Sequence, residues 1–493
     1  MAIHRSFSAY HFLAIAAMVT GWSSLVHAQK LDGDSTKVDF NEFKDPALEF
    51  RGTRWFTWAG PNMTEEFVKA QVANGAASKG AYGGWMFTPD REFAGGARAG
   101  GRGGRGARGG RGPTSAPAAA PAPPAAPAST ASYLNDEWFR VYRIALEESQ
   151  RLGFPMRVLY DEMQFPSGYA GGKLKAKYPD YVGKSLDKLE KDVTGPAQVS
   201  LEAPIQNGTY IGAVRMNLDT LELVDISDQK AGENGVNAQV PAGKWKVMLF
   251  YLDPSANARG LVDYLDAKAV DGLIEVMYQP YYDHLKDFFG SMIKMTFFDE
   301  PGLQHPEFKG RIWTASFNPE FQKKFGYSPM KYYPALWYDI GPDTQAARNA
   351  LFGFRADMYA ENFIGRIAKW CEAHGVKSSG HLDQEEALSP VSTQGDLMKV
   401  FKYEQMPAHD DIFWIGRSIR SYKIMTSSAF NWDKPIAVAE TFAAYQGPYQ
   451  NAPSAYRTAM DQHAMGISFQ VGNFPIRNDP QAQLEFGTYL GRI

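Results

Sequence analysis

The sequence predicts an α/β fold, a (β/α)8 barrel of the TIM type, with a small inserted β-rich module and a disordered Gly/Arg/Pro-rich loop. Three observations lead there. Short apolar runs alternate with stretches of helical periodicity until roughly eight strands have been counted, the pattern of a parallel barrel. Four of the runs end on carboxylates: VLYDEMQFPSG (158–168), KMTFFDEPG (294–302), SSGHLDQEE (378–386) and IAVAET (436–441). Side chains at the C-terminal ends of barrel strands face the open top, so four such endings describe a carboxylate-lined mouth. Finally, 493 residues with 44% hydrophobic and 14% aromatic content exceed one ordinary domain and suit a barrel with insertions.

Taken in order, residues 1–28 read as a secretory signal. His4 and Arg5 precede an apolar run from Phe12 to Val19, and Val26 and Ala28 supply small residues at −3 and −1 of a cleavage site. That run is too short to span a bilayer. No cysteine follows it, so no lipoprotein anchor is expected. The mature chain is expected to begin near Gln29 and to be secreted or periplasmic. The barrel opens over 29–93. A strand at 54–58 leads to a helix capped by Thr64 that runs through Phe67, Val68 and Val72, and a second strand covers 80–88. The helix has the right length for a parallel crossover.

Residues 94–132 are almost wholly Gly, Arg, Ala and Pro, flexible and basic in the first half and stiff and extended in the second. They read as a disordered insertion between strand and helix; a polyanion-binding role would need a cytoplasmic or nuclear home, which the signal removes. The barrel continues over 133–194, with Asn135 or Asp136 capping a helix to Leu152 and a strand at 156–160 running into Asp161 and Glu162. Between 195 and 256 short alternating runs with turn residues (GTYIGAVRMNL, LELVDIS, GKWKVMLFYL) mark the β-rich module. The rest of the barrel, 257–493, holds helical periodicity over 267–289 and 343–374. Its strands are expected at 295–298, 376–382, 411–414, 434–441 and 466–472.

Composition closes off several chemistries. A net charge of −3 and a pI of about 6.3 give no argument for nucleic acid or an anionic membrane surface. The lone Cys371 excludes an internal disulfide framework and a multi-cysteine metal site, and in its helical stretch it reads as a buried small apolar residue. No G-x-S-x-G occurs, and no H-E-x-x-H appears among nine histidines, which speaks against serine and zinc hydrolases.

Among the candidate site residues, Trp55, Trp58 and Trp85 end the first two strands, where one of them can offer a sugar ring an apolar platform while packing is the default for the others. His381 sits among acids, which favours a hydroxyl-binding role over a core histidine. Asp161 and Glu162 are adjacent, so only one of the two can address the pocket. Asp263 and Asp266, at a helix start, read as cap and dipole partners.

Five segments then carry a resemblance. YDEMQFPSGYAGGK (160–173), VDYLDAKAV (262–270), FFDEPG (297–302), SGHLDQEE (379–386) and SSAFNWDKPIAVAETF (427–442) resemble, in this order, the barrel of family-106 glycoside hydrolases, the bacterial α-L-rhamnosidases. The likeness covers most of 50–493 outside the low-complexity insert. It implies an inverting hydrolase with paired glutamates, a carbohydrate substrate, and a calcium ion that grips the sugar's hydroxyls. Glu300 and Glu440, both at predicted C-terminal strand ends, are then the catalytic pair, with Glu300 as acid and Glu440 as base, or the reverse. Asp161, His381 and Glu386 are expected to bind substrate, and Glu404 and Glu385 to hold the calcium. No EF-hand spacing supports the metal, which rests on the resemblance alone. Relatives continue into further β-rich domains, whereas this chain stops at Ile493, so the barrel is expected to be truncated and to lack its closing helix. A same-fold hydrolase for another sugar, or a carbohydrate-binding protein without turnover, are the alternatives.

Overall fold

The structure is a computed structural model that describes residues 39–58, 64–77, 80–89, 133–162, 165–204, 208–255, 257, 259–303, 311–383, 385, 391–412, 419–442, 451–472 and 479–493. The chain divides into two units, Met1–Pro46 and Ala47–Ile493. In the first, helix α1 (Phe40–Lys44) starts at Asp39, whose carboxylate accepts the amides of Asn41 and Glu42. The signal-like stretch 1–28 and the Gly/Arg/Pro-rich stretch 94–132 lie outside the described residues.

The second unit is built on a closed barrel of eight parallel strands. These are β1 (Thr53–Trp58), β2 (Gly84–Pro89), β3 (Met156–Tyr160), β9 (Met295–Asp299), β11 (Lys377–His381), β12 (Met406–Asp411), β13 (Val438–Thr441) and β14 (Phe469–Gly472), and β14 closes onto β1. Helices cross between them. α2 (Glu65–Ala76) starts where Thr64 Oγ1 accepts the Phe67 amide, and α3 (Asp136–Leu152) starts where Asn135 Oδ1 accepts that of Trp138. α4 (Ala267–Leu273) and α5 (Gln279–Leu285) flank one π turn, and α6 (Thr344–Met358) and α7 (Gly365–Ala373) flank another. α8 (Leu397–Tyr403), α9 (Ile419–Asn431), α10 (Ala452–Ala464) and α11 (Pro480–Arg492) complete the set used below.

Strand alternation sorts side chains between the lumen and the helix layer. Met86, Val158, Tyr160, Met295, Phe297, Ala408, Val438 and Val471 pack against one another inside the barrel. Their neighbours Leu159, Phe298 and Ala439 join the larger cluster beneath the helices. Cys371 is buried on α7 with its Sγ 3.3 Å from Thr296 Oγ1 of β9, a packing residue as its surroundings in sequence suggest.

The chain between β3 and β9, joined by β10 from beyond β9, forms an antiparallel sheet in the order β10-β4-β8-β5-β6, with β7 (Lys230–Ala231) paired to β8. Its strands are β4 (Lys184–Glu202), β5 (Thr209–Asn217), β6 (Leu223–Asp225), β8 (Gly235–Asp253) and β10 (Arg311–Trp313). Along β8, Val247, Leu249 and Tyr251 enter a small core of the sheet's own, while Met248, Phe250 and Leu252 join the main core. A sheet covered on both faces needs this continuous apolar run. The sheet starts at Lys184, earlier than the boundary read from composition, because the first half of β4 is charged and half-buried.

Two expectations are corrected. The strand between β11 and β13 is β12, Met406–Asp411, and not 411–414; MPAHDD contains a proline and three polar groups and no β-branched residue, so its strand character comes from the tertiary ladder. A closing helix also follows the eighth strand, since α11 covers Pro480–Arg492 and buries Phe486 and Leu490. Among the described residues no helix is long and apolar enough to cross a membrane.

β11 approaches β9 closely because Gly380 has no side chain. Its φ is +146°, and an added Cβ would lie 2.3 Å from the Phe298 carbonyl oxygen. Gly380→Ala is expected to destabilise the barrel by more than about 1 kcal/mol, read as a lower denaturant midpoint in chemical unfolding.

Candidate active site

Above the apolar layers, four polar side chains end four neighbouring strands: Asp299 on β9, His381 on β11, Asp410 on β12 and Glu440 on β13. Asp299, Asp410 and Glu440 each lie two residues beyond an inward apolar residue, namely Phe297, Ala408 and Val438. The strand register sets His381 opposite Asp299 and Asp410 opposite Glu440. All four are buried. The barrel's C-terminal rim therefore gathers three carboxyl groups around one imidazole.

The imidazole ties the group together. His381 Nε2 lies 2.7 Å from Glu440 Oε2 and 3.3 Å from Asp299 Oδ1, and Nδ1 lies 3.4 Å from the Leu382 carbonyl oxygen. Both ring nitrogens face acceptors, which only the imidazolium can serve with two donors. Burial alone would lower the His381 pKa, but the hydrogen bond to Glu440 and the charges of Asp299, Glu440 and Glu385 hold it well above the usual range. Asp299 also receives the Tyr160 hydroxyl at 2.5 Å on Oδ2. Burial raises its pKa while His381 and Tyr160 pull it back. Burial pushes Glu440 up to about 7, against the pull of His381.

Glu300 is different. Alternation would send it outward after Phe298, but its φ is +49°, in the left-handed region that non-glycine residues rarely occupy. That turn bends the chain at the strand end and leaves the side chain half-buried. Its amide donates to the His381 carbonyl at 3.1 Å. Among the described residues its carboxyl makes no hydrogen bond, and burial and the neighbouring Asp299 push its pKa up to about 9. Asp299, His381 and Asp410 influence the pKa of both Glu300 and Glu440, so the two glutamates face one charge cluster.

Two further acids sit along β12. Beyond Pro407 the β11 ladder stops, and side chains take over as acceptors: Glu404 Oε1 receives the Ala408 amide at 3.2 Å and Glu385 Oε1 the Asp410 amide at 2.9 Å. The second oxygen of each carboxyl is buried without a hydrogen-bond partner. Burial raises the pKa of both well above the usual range. Unsatisfied buried oxygens are costly unless a proton or cation occupies them, so this pair fits a hard, oxygen-seeking ion. Asp299, His381 and Glu440 also offer ligand atoms within 4.8 Å of one another, but the contacts at 2.7 and 3.3 Å already pair them through the ring.

The structure thus brings Glu300, Glu440, His381 and Glu385 to one region and sets Glu404 beside the same strand. Asp161 and Trp85 are corrected. Asp161 is fully buried with both carboxyl oxygens occupied, Oδ1 by the Ser167 hydroxyl at 2.8 Å and Oδ2 by the Tyr278 hydroxyl, so it meets protein and not sugar. Trp85 stands near the start of β2, where alternation sends it outward, and its indole donates to Ser149 on α3 at 3.0 Å. Trp58 ends β1, and its side chain, like the whole of Glu386, lies outside the described residues. Asp299 and Asp410 went unsingled in the sequence. Alternation from Phe297 would have found the first; the second sat on a strand whose composition hid it. Asp266 caps α4 as expected, while Asp263 is buried, its carboxylate taking the Leu265 amide.

The comparisons agree with this architecture. A profile of the glycoside hydrolase 106 family, described as alpha-L-rhamnosidase, matches residues 190–492. A Formosa agariphila protein provisionally named a beta-glucuronidase is 28% identical over 229 residues, which is 42% of this chain and 18% of that protein. The structure of a rhamnosidase from Novosphingobium sp. PP1Y superposes with a TM-score of 0.65 at 12% identity, covering 92% of this chain and 60% of the other, a likeness of fold. The chain spans 18% and 60% of the lengths of these two proteins.

Next to Asp161, Glu162 anchors the loop over the rim. Its carboxylate accepts the amides of Gly168, Tyr169, Ala170 and Gly171 at 3.3, 3.1, 2.7 and 3.0 Å. Glu162→Gln turns an acceptor toward those donors into a donor, and is expected to lower the unfolding free energy by about 2 to 4 kcal/mol in denaturant titration.

Proposed function

As the chain belongs to glycoside hydrolase family 106, we propose that it cleaves terminal α-L-rhamnosyl residues by an inverting, two-carboxylate mechanism. The observation that supports this reading is the contrast between Glu300 and Glu440, two rim carboxyls whose surroundings push the pKa of the first up to about 9 and that of the second only to about 7. Glu300, without a hydrogen bond among the described residues and beside Asp299, keeps its proton at neutral pH and delivers it to the leaving-group oxygen. Glu440, bonded through Oε2 to a protonated His381, is ionised above about pH 7 and takes a proton from the water that attacks the anomeric carbon on the opposite face. The glycosidic C–O bond breaks as the water C–O bond forms, and the two carboxyls exchange protonation states before the next turnover.

The electrostatics favour rhamnose over the uronic acid in the Formosa agariphila protein's name. Among the described residues the rim presents Asp299, Asp383, Asp410 and Glu440 against one cation, His381, so a sugar carboxylate would enter a field of its own sign. Secretion through residues 1–28, the insert 94–132 as a disordered loop and the β-rich sheet as an inserted module belong to the same proposal. Calcium does too. Glu385 and Glu404 would hold it through their unpartnered oxygens, and bound there it would supply positive charge to orient sugar hydroxyls.

The test uses p-nitrophenyl α-L-rhamnopyranoside with the wild type, Glu300→Gln and Glu440→Gln. Each variant is expected to lose about 100-fold or more in turnover with the circular dichroism spectrum unchanged. The wild-type pH profile of kcat/KM should be bell-shaped. It falls as pH drops below about 7, where Glu440 takes up a proton, and falls again above about 9, where Glu300 gives one up. Turnover retained by either variant, or a profile flat across this range, contradicts the assignment.

Calcium is expected to raise the melting temperature of the wild type and leave that of Glu385→Gln unmoved, since an ion that binds only the folded state stabilises it. Equal shifts in both proteins, or none in the wild type, in a thermal scan with and without chelator would remove Glu385 from the ion's ligand set.

A further inference from the structure

Ser167 has no role in binding or chemistry as described so far, yet every polar atom it owns is engaged. β3 ends at Tyr160, and the last regular bond between β3 and β9 runs from the Asp161 amide to the Phe297 carbonyl at 3.1 Å. Asp299, two residues further along β9, would be left without a ladder partner on this side. Ser167 supplies both halves. Its amide donates to the Asp299 carbonyl at 2.7 Å, and its Oγ accepts the Asp299 amide at 2.9 Å.

The serine is itself held from three directions. Its hydroxyl donates to Asp161 Oδ1 at 2.8 Å, and its carbonyl accepts the Tyr264 hydroxyl at 2.6 Å. Asp161 is fixed by the hydroxyl of Tyr278 on its other oxygen and by that of Tyr133 on its carbonyl at 2.6 Å. The residues that follow hang on Glu162 through four amides. Ser167 and Asp161 are fully buried, so no water competes for these bonds.

The residue after the clamped one is Glu300, at a φ of +49°. A left-handed glutamate persists only where its surroundings over-determine it. Here the His381 carbonyl holds the Glu300 amide from one side at 3.1 Å, and Ser167 holds both backbone groups of Asp299 from the other.

We infer that Ser167, oriented by Asp161, is a positioning residue that fixes the backbone turn from which Glu300 reaches the leaving group. This rests on the reading of Glu300 as general acid. A displacement of about 1 Å is enough to cost about 100-fold where a proton must be delivered in line.

The experiment compares Ser167→Ala with Ser167→Cys, a near-isosteric variant that keeps the shape and weakens the acceptor, and with Glu300→Gln, on two α-L-rhamnosides. One carries 2,4-dinitrophenol, which leaves without help; the other carries methanol, which needs a proton. Ser167→Ala is expected to lose about 10- to 100-fold in kcat on the methyl glycoside and no more than about threefold on the dinitrophenyl one, with KM nearly unchanged. Ser167→Cys should fall between it and the wild type. A crystal structure of Ser167→Ala should show Glu300 out of the left-handed region. Equal losses on both substrates, or no loss on either, overturn the inference, as does a Glu300 that keeps its φ in the variant crystal. Glu300→Gln separates the two levels: if it too fails to discriminate between the leaving groups, the acid assignment falls, while the crystal structure still decides whether Ser167 sets the turn.

Discussion

One imidazole between two carboxyls sets the chemistry of this rim. His381 is 2.7 Å from Glu440 and 3.3 Å from Asp299, and it carries the positive charge that lets buried acids ionise there. Without it, burial would drive Asp299 and Glu440 toward their neutral forms, and no base would remain. With it, the charge is assigned unequally. Glu440 touches the ring and ionises above about pH 7; Glu300, one residue past Asp299, meets mostly negative neighbours and keeps its proton up to about pH 9. Two glutamates of the same intrinsic acidity thus become an acid and a base through position alone.

The barrel delivers these positions by unusual means at the strand ends. Regular ladders hold the apolar lower layers, but near the mouth the backbone bonds are completed by side chains: Ser167 for Asp299, Glu404 for Ala408 and Glu385 for Asp410. Strands that stop being strands can point in new directions. Glu300 leaves the alternation of β9, and β12 carries Asp410 inward and Asp411 outward, where Asp411 receives the Gln462 amide of α10 at 2.6 Å. Polar substitutes for a ladder are costly unless fully satisfied, which accounts for the burial of Ser167, Asp161 and Glu162 and for the density of bonds around them.

Much of this was legible in the residue order. Apolar strands tipped by acids located β3, β9, β11 and β13, and the helix caps at Thr64 and Asn135 fell where expected, because short-range hydrogen bonds decide them. Glu300, Glu440, His381 and Glu385 were identified from strand ends and the family resemblance, and they do gather at the rim. What failed depended on context. MPAHDD becomes a strand only because β11 and β13 pair with it, and no local preference announces that. Trp85 looked like a strand end because the preceding Gly80–Gly84 stretch reads as strand, when the strand begins at Gly84 and faces the tryptophan toward α3. Asp161 looked like a ligand because nothing in the sequence says that Ser167 and Tyr278, 6 and 117 residues away, will occupy both of its oxygens.

The claim on which the account stands is that near pH 8, between a Glu440 pKa of about 7 and a Glu300 pKa of about 9, Glu300 is neutral and Glu440 ionised in the same protein. Infrared difference spectroscopy on protein labelled with carboxyl-13C glutamate tests it without any substrate. Subtracting the Glu300→Gln spectrum from that of the wild type at pH 8 should leave mainly the carbonyl stretch of a protonated carboxylic acid, and subtracting that of Glu440→Gln should leave mainly the paired stretches of a carboxylate. A carboxylate signature from Glu300, or a protonated one from Glu440, would contradict the division of roles at its source.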